Sequence, residues 1–429
     1  MKITKTSILP VKGTRDFYPE DMTVHIWLYN KIRKVSESFG YQEWEGPILE
    51  SIELYAAKSG EELVKEQSYV FPDRDGDLIA LRPELTPTLA RMVAKRQREL
   101  IYPLRWWSFG PFWRYERPQK GRTREFFQWN IDLIGTDSPQ ADAEIVAIIA
   151  SFFQEVGLSP AEVNILVNNR KLMDAELASM DLPADNRQLI YRLIDRRDKM
   201  QETEWEAYAS ELGLNKGQIG QIKSLLTNID LWQKSDELVY FFRAIDAHGM
   251  KDYVHYEPGI IRGLDYYTGT VFEAVETEGE FRRSILGCGR YDNLLEDVGG
   301  EPLPATGFAM GDVIITLILE KRNLLPTRRG ESLSQVLVTI FDHALQNDSI
   351  SLSAELRKAG LDVICYPEVA KLSKQLKFAD RNKMRLAIIL GADEIDQGVI
   401  TIKDLHTRGQ HIVPRDDAVA TILHMLASA

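Results

Sequence analysis

The stretch from Trp106 to Gly135 constrains the fold of this chain more than any other, because it reads as two aromatic-rich strands joined by a short loop. Side chains alternate between the two faces of a strand, so every second residue shares a face. The first strand thereby places Arg114 and Glu116 on one face. The second strand has an apolar face formed by Phe127, Trp129, Ile131 and Leu133. Its other face is mixed and polar, and is formed by Phe126, Gln128, Asn130 and Asp132. One face suits a core, and the other suits a binding site.

The loop between these strands is strongly basic, with Gly121 at its turn and cations at Arg117, Lys120, Arg122 and Arg124. Charged hairpins of this kind are most often solvated sheet edges. The neighbouring strand face here offers a planar cation, carboxylates, an amide and a phenyl ring, which are groups that can bind a ligand. Positive charge beside such a face favours a nucleotide or the end of a nucleic acid.

The composition bounds the class of protein. A length of 429 residues predicts two or three domains. A formal charge of −12 argues against a protein that coats nucleic acid, but it allows a nucleic-acid substrate held by local basic patches. Cys288 and Cys365 are far apart, so neither a disulfide framework nor a zinc site is indicated, and a reducing, cytoplasmic setting fits best. The chain has no apolar signal region and no apolar run long enough to span a bilayer, so we expect no membrane association.

Hydrophobic periodicity and turn signals predict an α+β organisation for residues 1–325. Helical spacing covers 25–39, and a Ser or Thr followed by proline marks helix starts at Thr86 and Ser138. Strand character returns after 262. The short strands predicted in the first part of the chain are 43–52, 68–71 and 78–82.

Three segments differ from this pattern. Residues 169–250 are rich in charge and poor in strand patterns, which predicts a helical insertion. Residues 326–334 combine turn formers with charge and are typical of a linker. Residues 335–429 alternate strand and helix, which predicts a small α/β domain.

The chemistry open to these residues is limited by what the sequence lacks. It has no G-x-x-x-x-G-K-[ST], G-x-G-x-x-G, G-x-S-x-G or H-E-x-x-H motif, so phosphates would have to be held by arginines. Arg114 and Arg262 are the candidates, although Arg262 could instead pair with Asp265 in a turn. The carboxylates of Glu84 and Asp132 could hold an ammonium group and an imidazole or another donor.

Several motifs, in a consistent order, resemble a known family. F-W-R-Y-E at 112–116 and R-T-R-E-F-F-Q at 122–128 resemble motif 2 of class II aminoacyl-tRNA synthetases, and the segment around Pro47 resembles motif 1. The segment 376–410 is similar to an anticodon-binding module. Narrower matches to the histidyl-tRNA synthetase family are KGTRDFYPEDM at 12–22, LRPELT at 81–86, RPQKGR at 117–122, RGLDYY at 262–267 and GRYDNLL at 289–295.

The resemblance implies a fold and a reaction. The fold would be α+β, with a class II core of six or seven antiparallel strands flanked by helices, a helical insertion and a C-terminal α/β anticodon-binding domain. The histidine carboxylate would attack the α-phosphorus of ATP, with Mg²⁺ as the accompanying ion, to form histidyl-adenylate and pyrophosphate. The terminal ribose of tRNA(His) would then accept the histidyl group.

The resemblance also implies roles for matching positions. Arg114 and Arg262 would be the catalytic cations, bracketing the α-phosphate and the histidine carboxylate. Phe126 would stack on adenine, Glu116 would contact adenine, and Arg122 would approach the outer phosphates. The remaining histidine-binding positions would be Glu84, Thr86 and Gln128 at the ammonium group, Asp132 and Tyr267 at the imidazole, and Leu85 and Tyr266 beside them. No protein ligand for a metal is implied.

Four features depart from the family pattern, including Cys288, where glycine is common, and Leu85, and the other two bear most on the site. Relatives usually follow GFAMG with a helix that carries the motif 3 arginine, which clamps ATP, whereas Gly311 is followed here by D-V-I-I. Asp132 is also shorter than the glutamate often found at its position, so the imidazole would bind closer to the strand or through a water molecule.

These departures leave an alternative open, a non-catalytic paralogue that senses histidine and is similar to the regulatory subunit of ATP phosphoribosyltransferase. The missing motif 3 arginine favours it. The basic motif 2 loop, RGLDYY and the anticodon-binding module oppose it, because a sensor needs no surface that faces tRNA. Motif 1 builds a two-fold interface in this family, so a homodimer is expected.

Overall fold

The computed structural model describes residues 8–56, 66–119, 121–180, 187–197, 200–261, 267–278, 284–293, 295–326 and 334–427. These residues divide into two compact units. The larger unit holds the chain up to Asp16 and Val24–Pro326, and the smaller holds Phe17–Thr23 and the described residues after Pro326.

The strands of the larger unit within the described residues are β1 (Gln42–Glu43), β2 (Leu49–Ser51), β3 (Tyr69–Pro72), β4 (Leu78–Leu81), β5 (Leu104–Trp113), β6 (Glu125–Ile134), β7 (Val163–Asn169), β8 (Val254–Tyr256), β9 (Thr270–Glu276), β10 (Leu286–Arg290) and β11 (Ala305–Gly311). Its helices are α1 (Pro19–Ser38), which begins in the smaller unit, α2 (Ile52–Ala56), α3 (Thr86–Arg96), α4 (Pro139–Glu155), α5 (Arg170–Ala178), α6 (Arg187–Asp195), α7 (Glu202–Glu211), α8 (Lys216–Thr227), α9 (Asp236–Ala247) and α10 (Asp312–Lys321).

The central sheet has the order β1-β5-β6-β11-β10-β9-β7-β8. The six inner strands pair antiparallel, as the resemblance implied. The two edge strands pair parallel, β1 with β5 and β8 with β7, so the sheet has eight strands rather than the six or seven expected. Parallel neighbours need a long crossover, and between β7 and β8 the segment predicted as a helical insertion supplies it through α5 to α9.

Strand β6 separates two apolar cores. Trp129, Ile131 and Leu133 are buried in one cluster with α4, whose side chains are apolar on nearly every side. Phe126 packs with a second cluster on the other face, together with the fully buried Phe112 of β5. The predicted alternation of faces along β6 is therefore confirmed.

Both helices begin where the signals predicted, but only one of them has the predicted cap. Ser138 caps α4, because its hydroxyl accepts a hydrogen bond from the Ala141 amide at 3.2 Å. The expectation that Thr86 caps α3 is wrong, since Leu85 is the N-cap residue and provides no side-chain hydrogen bond. Thr86 lies inside the first turn, followed by a proline that tolerates that position.

A separate three-stranded antiparallel sheet, β2-β4-β3, lies beside α2 and α3. Its strands carry solvent-exposed apolar side chains, among them Leu49, Val70, Phe71 and Leu78. Isolated exposed apolar residues are ordinary, but a group of them on one small sheet marks a surface that is suited to contact a partner.

The smaller unit is an α/β domain. Its strands are β12 (Val336–Val338), β13 (Val363–Cys365), β14 (Leu386–Ile389), β15 (Val399–Asp404) and β16 (Gln410–Pro414), in the order β13-β12-β14-β15-β16. Its helices are α11 (Gln346–Lys358), α12 (Leu372–Arg381), α13 (Ala392–Asp396) and α14 (Ala418–Ala427). The first three strands of that order are parallel and the last two pairings are antiparallel. Among the described helices of the whole chain, none combines the length and the apolar character needed to cross a membrane.

Candidate active site

A cavity of about 230 Å³ opens at the end of β6 where the motif 2 loop returns to the sheet. Its lining includes the four side chains predicted to bind ATP, namely Arg114, Glu116, Arg122 and Phe126, together with Gln128, which was predicted to bind histidine. The facing wall is apolar and includes Ile285, Leu286, Val313 and Ile314. A cavity with convergent polar groups on one side and an apolar wall on the other suits a flat heterocycle that carries a charged group.

Arg114 lies between two parts of this site. Strand β5 ends at Trp113, so the prediction that Arg114 and Glu116 belong to the strand itself is wrong. The Arg114 Nε donates to the carbonyl of Pro83 at 3.0 Å, and its guanidinium carbon lies 5.4 Å from the centre of the Phe126 ring. The side chain therefore connects the loop before α3 to the polar face of β6.

Glu116 and Arg122 pair with each other in the cavity wall. The Arg122 side chain is 45% exposed, whereas the Glu116 side chain is only 9% exposed. The motif 2 loop thus brings a buried carboxylate and a solvent-facing cation together in the cavity lining. A phosphate that approached Arg122 would compete with this ion pair.

Phe126 is held in a defined orientation at the cavity wall. Its ring stacks on Phe112 with the centroids 5.9 Å apart and the planes inclined at 26°. Phe112 in turn lies beneath the guanidinium of Arg82 at 4.6 Å. Arg82 is fully buried, pairs with Glu45 and donates to the carbonyl of Pro111 at 2.8 Å. This buried cation anchors LRPELT against β5, an arrangement that the motif alone did not reveal.

The start of α10 shows what stands where relatives carry the motif 3 arginine. Val313 and Ile314 line the cavity, and the Ile314 Cδ1 leaves only 2.5 Å to the position that a Cβ at Gly121 would occupy. Gly121 also has a φ of +78°, which a side chain would strain. An apolar wall packed under the loop turn therefore replaces the expected cation.

Asp312, the first residue of α10, has a separate role. Its Oδ1 accepts the amide of Phe127 at 2.9 Å, and its Oδ2 pairs with Arg15 at 2.9 Å. Burial raises the pKa of the Asp312 carboxyl, and the positive charge of Arg15 opposes that shift. The pair ties KGTRDF to the beginning of β6. Sequence reasoning did not find it, because Arg15 and Asp312 lie at opposite ends of the larger unit.

Asp132 lies farther along the same face of β6 and is 6% exposed. The Tyr291 hydroxyl donates a hydrogen bond to its Oδ1. Burial raises the pKa of the Asp132 carboxyl to about 7, and the hydrogen bond from Tyr291 opposes the rise. In the part of the chain that the structure describes, no cation contributes to this shift. Within the described residues, no cation therefore compensates the charge of the ionised Asp132 carboxyl group.

The other predicted histidine-binding positions within the described residues are buried or half-buried. Tyr267 and Leu85 are buried in the same apolar cluster, so Leu85 can offer a ligand only its backbone. Glu84 and Thr86 are half-buried at the start of α3. Two predicted site residues, Arg262 and Tyr266, fall outside the described residues. Lys120 of the motif 2 loop does so as well.

Arg290, next to Tyr291, is the centre of a buried polar network. Its guanidinium contacts Asp142 of α4 at 2.8 Å and donates to the carbonyls of Thr136 and Ser138 at 3.0 and 3.2 Å. Burial raises the pKa of the Asp142 carboxyl, and Arg290 opposes that shift. This network fixes the end of β10. The described residues contain no cluster of three or more His, Cys, Asp or Glu side chains that could hold a metal ion.

Comparisons with known proteins agree with these motifs. The family model described as "Histidyl-tRNA synthetase" matches residues 13–312, and the one described as "Anticodon binding domain" matches residues 335–425. The curated histidine--tRNA ligase of Leptospira biflexa is 34% identical over 100% of both chains. That of Pyrococcus horikoshii is 36% identical over 97% of this chain and 99% of the relative.

A solved structure is similar as well. The histidyl-tRNA synthetase of a Nostoc species superimposes with a TM-score of 0.83 at 27% identity, covering 99% of this chain and 100% of that one. The similarity extends over both units of the fold, as do the matches to the curated relatives.

Proposed function

We propose a reaction for this chain from the premise that it belongs to the histidyl-tRNA synthetase family. The chain would activate L-histidine with ATP to histidyl-adenylate and transfer the histidyl group to the 3′ end of tRNA(His). One observation carries the proposal. Phe126, Gln128 and Asp132 share a face of β6, which places a nucleotide cavity and a buried carboxyl group along one strand.

The cavity end of β6 would bind ATP. Adenine would lie between the ring of Phe126 and the apolar wall formed by Val313 and Ile314. Arg114 would then face the α-phosphate, where the histidine carboxylate forms a bond to phosphorus as the bond to pyrophosphate breaks. Adenylate formation needs in-line positioning and positive charge rather than a protein nucleophile, which agrees with the lack of one among the motifs.

The outer phosphates would draw Arg122 away from Glu116. That exchange leaves the Glu116 carboxylate to accept a hydrogen bond from the adenine amino group. Arg262 would supply the second cation at the α-phosphate. Mg²⁺ would enter with ATP, since this ion binds mainly through phosphate oxygens and water rather than in a cage of protein ligands.

The other end would bind histidine. Glu84, Thr86 and Gln128 would hold the ammonium group, and Asp132 and Tyr267 would contact the imidazole. The buried carboxyl of Asp132 has no compensating cation among the described residues, so an imidazole N–H is a suitable partner. An amino acid that lacks this donor would leave a buried polar group unpaired, which penalises competitors strongly. Leu85 and Tyr266 would complete the site.

The histidine-sensing alternative loses its main support in this structure. The absent arginine had favoured it, but the space it would occupy is filled by an apolar wall that still shapes a nucleotide cavity. Residues 335–425 match an anticodon-binding model, and such a module serves an enzyme that handles tRNA.

The same proposal assigns the parts of the chain. Residues 1–325 would form the catalytic domain with an insertion at 169–250, 326–334 a linker, and 335–429 the domain that binds the anticodon. The protein would act in the cytoplasm as a homodimer. Support for the dimer comes from the exposed apolar residues of the sheet β2-β4-β3, which lies next to motif 1.

The decisive experiment is ATP–pyrophosphate exchange with purified protein, followed by charging of tRNA(His). We expect exchange that depends on histidine and is not supported by the other amino acids, and then transfer to tRNA. Histidine binding without exchange would instead identify a sensor. Exchange driven by another amino acid would overturn the assignment of Asp132 and Tyr267.

A further inference from the structure

We propose that Tyr291 determines the specificity for histidine by holding Asp132 with one oxygen engaged and the other free for the imidazole. This inference rests on the proposed function, because it takes the buried carboxyl group to be the imidazole site. The family pattern GRYDNLL contains Tyr291, but the roles that the resemblance implied did not include it.

The first argument is the hydrogen bonding of the Asp132 carboxyl group. Its Oδ1 accepts the hydroxyl of Tyr291, a residue that is itself only 3% exposed. Oδ2 accepts no hydrogen bond from the described residues. It is also not among the buried polar atoms that lack a partner, so a ligand can reach it. A tyrosine hydroxyl has one proton to donate, so this contact commits it to Asp132. The carboxyl group is thereby oriented with one oxygen left for a ligand.

The second argument is the space around the pair. Gly307 of β11 is the register partner of Asp132, and a Cβ at this position would lie 2.5 Å from Asp132 Oδ1 and 3.1 Å from the Tyr291 hydroxyl. No larger residue fits without displacing the contact. Gly289 provides similar room for Tyr267, since a Cβ there would lie 2.7 Å from its ring. Gly307 therefore leaves room for the contact between Tyr291 and Asp132, and Gly289 leaves room for the ring of Tyr267.

The third argument is the rigidity of the support. Arg290 precedes Tyr291 and is bound to Asp142 and to two carbonyls in the turn before α4. The Tyr291 amide donates to the carbonyl of Ala305 at 2.8 Å. Tyr291 directly follows β10, and its backbone is tied to β11, so its hydroxyl is presented to Asp132 from a supported position.

The function of this arrangement is to restrict how Asp132 can bind a side chain. With Oδ1 engaged, a ligand must present a donor to Oδ2 in one direction. Without Tyr291, the carboxyl group can rotate, and its first oxygen becomes a buried acceptor that lacks a partner. Histidine would then bind more weakly, and analogues that offer a donor elsewhere would be rejected less.

The test is Tyr291→Phe, assayed by ATP–pyrophosphate exchange. We expect the KM for histidine to rise roughly 10- to 100-fold while the KM for ATP changes by less than about twofold. Tyr253→Phe is the matched control, because its hydroxyl is also buried and donates at 2.7 Å to the carbonyl of Leu158, far from the site in sequence. We expect this control to keep both constants near those of the wild type. Equal increases in both constants for Tyr291→Phe, or no change, would overturn the proposal.

A double-mutant cycle shows whether Tyr291 acts through Asp132. In an Asp132→Asn background, Tyr291→Phe should change the histidine KM by less than about twofold, because the partner is already altered. A full, independent effect in that background would contradict the mechanism. If Tyr291→Phe does not fold, Tyr291→His keeps a ring with a donor of shorter reach and should still raise the histidine KM selectively. Gly307→Ala is not suitable, because its Cβ would lie 2.4 Å from the backbone carbonyl oxygen of Ile131 as well as close to Asp132.

The wild-type assay separates the two levels of the proposal. Absence of histidine-dependent exchange in the wild-type protein would refute the proposed function itself. Wild-type exchange together with an unchanged Tyr291→Phe variant would refute only the role of Tyr291.

Discussion

The two ends of β6 present their polar groups in different ways. At the cavity end, Arg122 is exposed and paired with Glu116, and the opposite wall is formed by aliphatic side chains. At the other end, Asp132 and Tyr291 are buried, and the Tyr291 hydroxyl donates a hydrogen bond to Asp132. A cation that faces solvent, such as Arg122, can exchange its partner at little cost, whereas a fully buried polar group penalises every ligand that fails to satisfy it. The difference teaches that affinity for ATP can be spread over many weak contacts while selection of the amino acid depends on a few.

The largest effect should come from Arg114, which lies between the two ends. Arg114→Ala should lower kcat/KM for exchange roughly 1000-fold, mainly through kcat, because its charge matters most as negative charge develops at the α-phosphate. The measurement is steady-state exchange with each substrate varied in turn. Arg33→Ala, on the exposed face of α1, should behave as wild type. A change confined to one KM would assign Arg114 to one end and break the comparison.

Removing the buried carboxyl group should have the next largest effect. Asp132→Ala should raise the histidine KM roughly 100-fold and leave the ATP KM within about twofold, since the imidazole loses its charged partner in a buried site. Asp246→Ala, which removes an exposed carboxylate, is the control. Parallel increases in the two KM values would mean that the ends of β6 are not independent.

The pH dependence of the histidine KM should distinguish the two ends of β6 in the wild-type protein, without any substitution. Burial raises the pKa of the Asp132 carboxyl to about 7, so this group is ionised above that pH and becomes protonated as the pH falls through it. A protonated carboxyl accepts hydrogen bonds more weakly, so the KM for histidine should be roughly 10-fold higher at pH 6 than at pH 8 when it is expressed as the concentration of the neutral imidazole form, since free imidazole itself titrates at about pH 6.5. Exchange measured across this range with saturating ATP provides the test. A flat histidine KM would show that the carboxyl is already ionised at pH 6.

The smallest effect should come from the apolar wall. Ile314→Ala removes a contact from the loop turn and the cavity, and should raise the ATP KM roughly fivefold without altering the histidine KM. Ile412→Ala, at an exposed position of β16, serves as the control. An effect as large as that of Arg114→Ala would mean that the wall, and not the cations, dominates the binding of ATP.

Sequence reasoning predicted what is local and missed what is distant. Alternation along β6 is a property of neighbouring residues, so the two faces were predictable from the pattern alone. Tyr291 is 159 positions from Asp132, and Arg15 meets Asp312 across almost the whole unit, so neither contact has a periodic signal. The parallel edge strands were missed for the same reason, because they depend on crossovers and not on strand composition.

The departure at motif 3 shows a further limit. The sequence revealed that the arginine was absent, but it could not show that Ile314 packs beneath Gly121. That contact joins the loop turn to α10, and only the folded arrangement brings the two together. Residue identity at one position therefore did not indicate whether the nucleotide cavity was retained.

Because each residue of β6 adds a fixed length, the segment from Phe126 to Asp132 limits which insertions and deletions the chain can accept. Six residues of extended chain span about 20 Å, and under the proposed function this length would set how far apart adenine and imidazole are held. Inserting or deleting a single residue between them would turn one of the two side chains toward α4. Substitutions can change the side chains at either end of β6. The number of residues between Phe126 and Asp132 must stay the same.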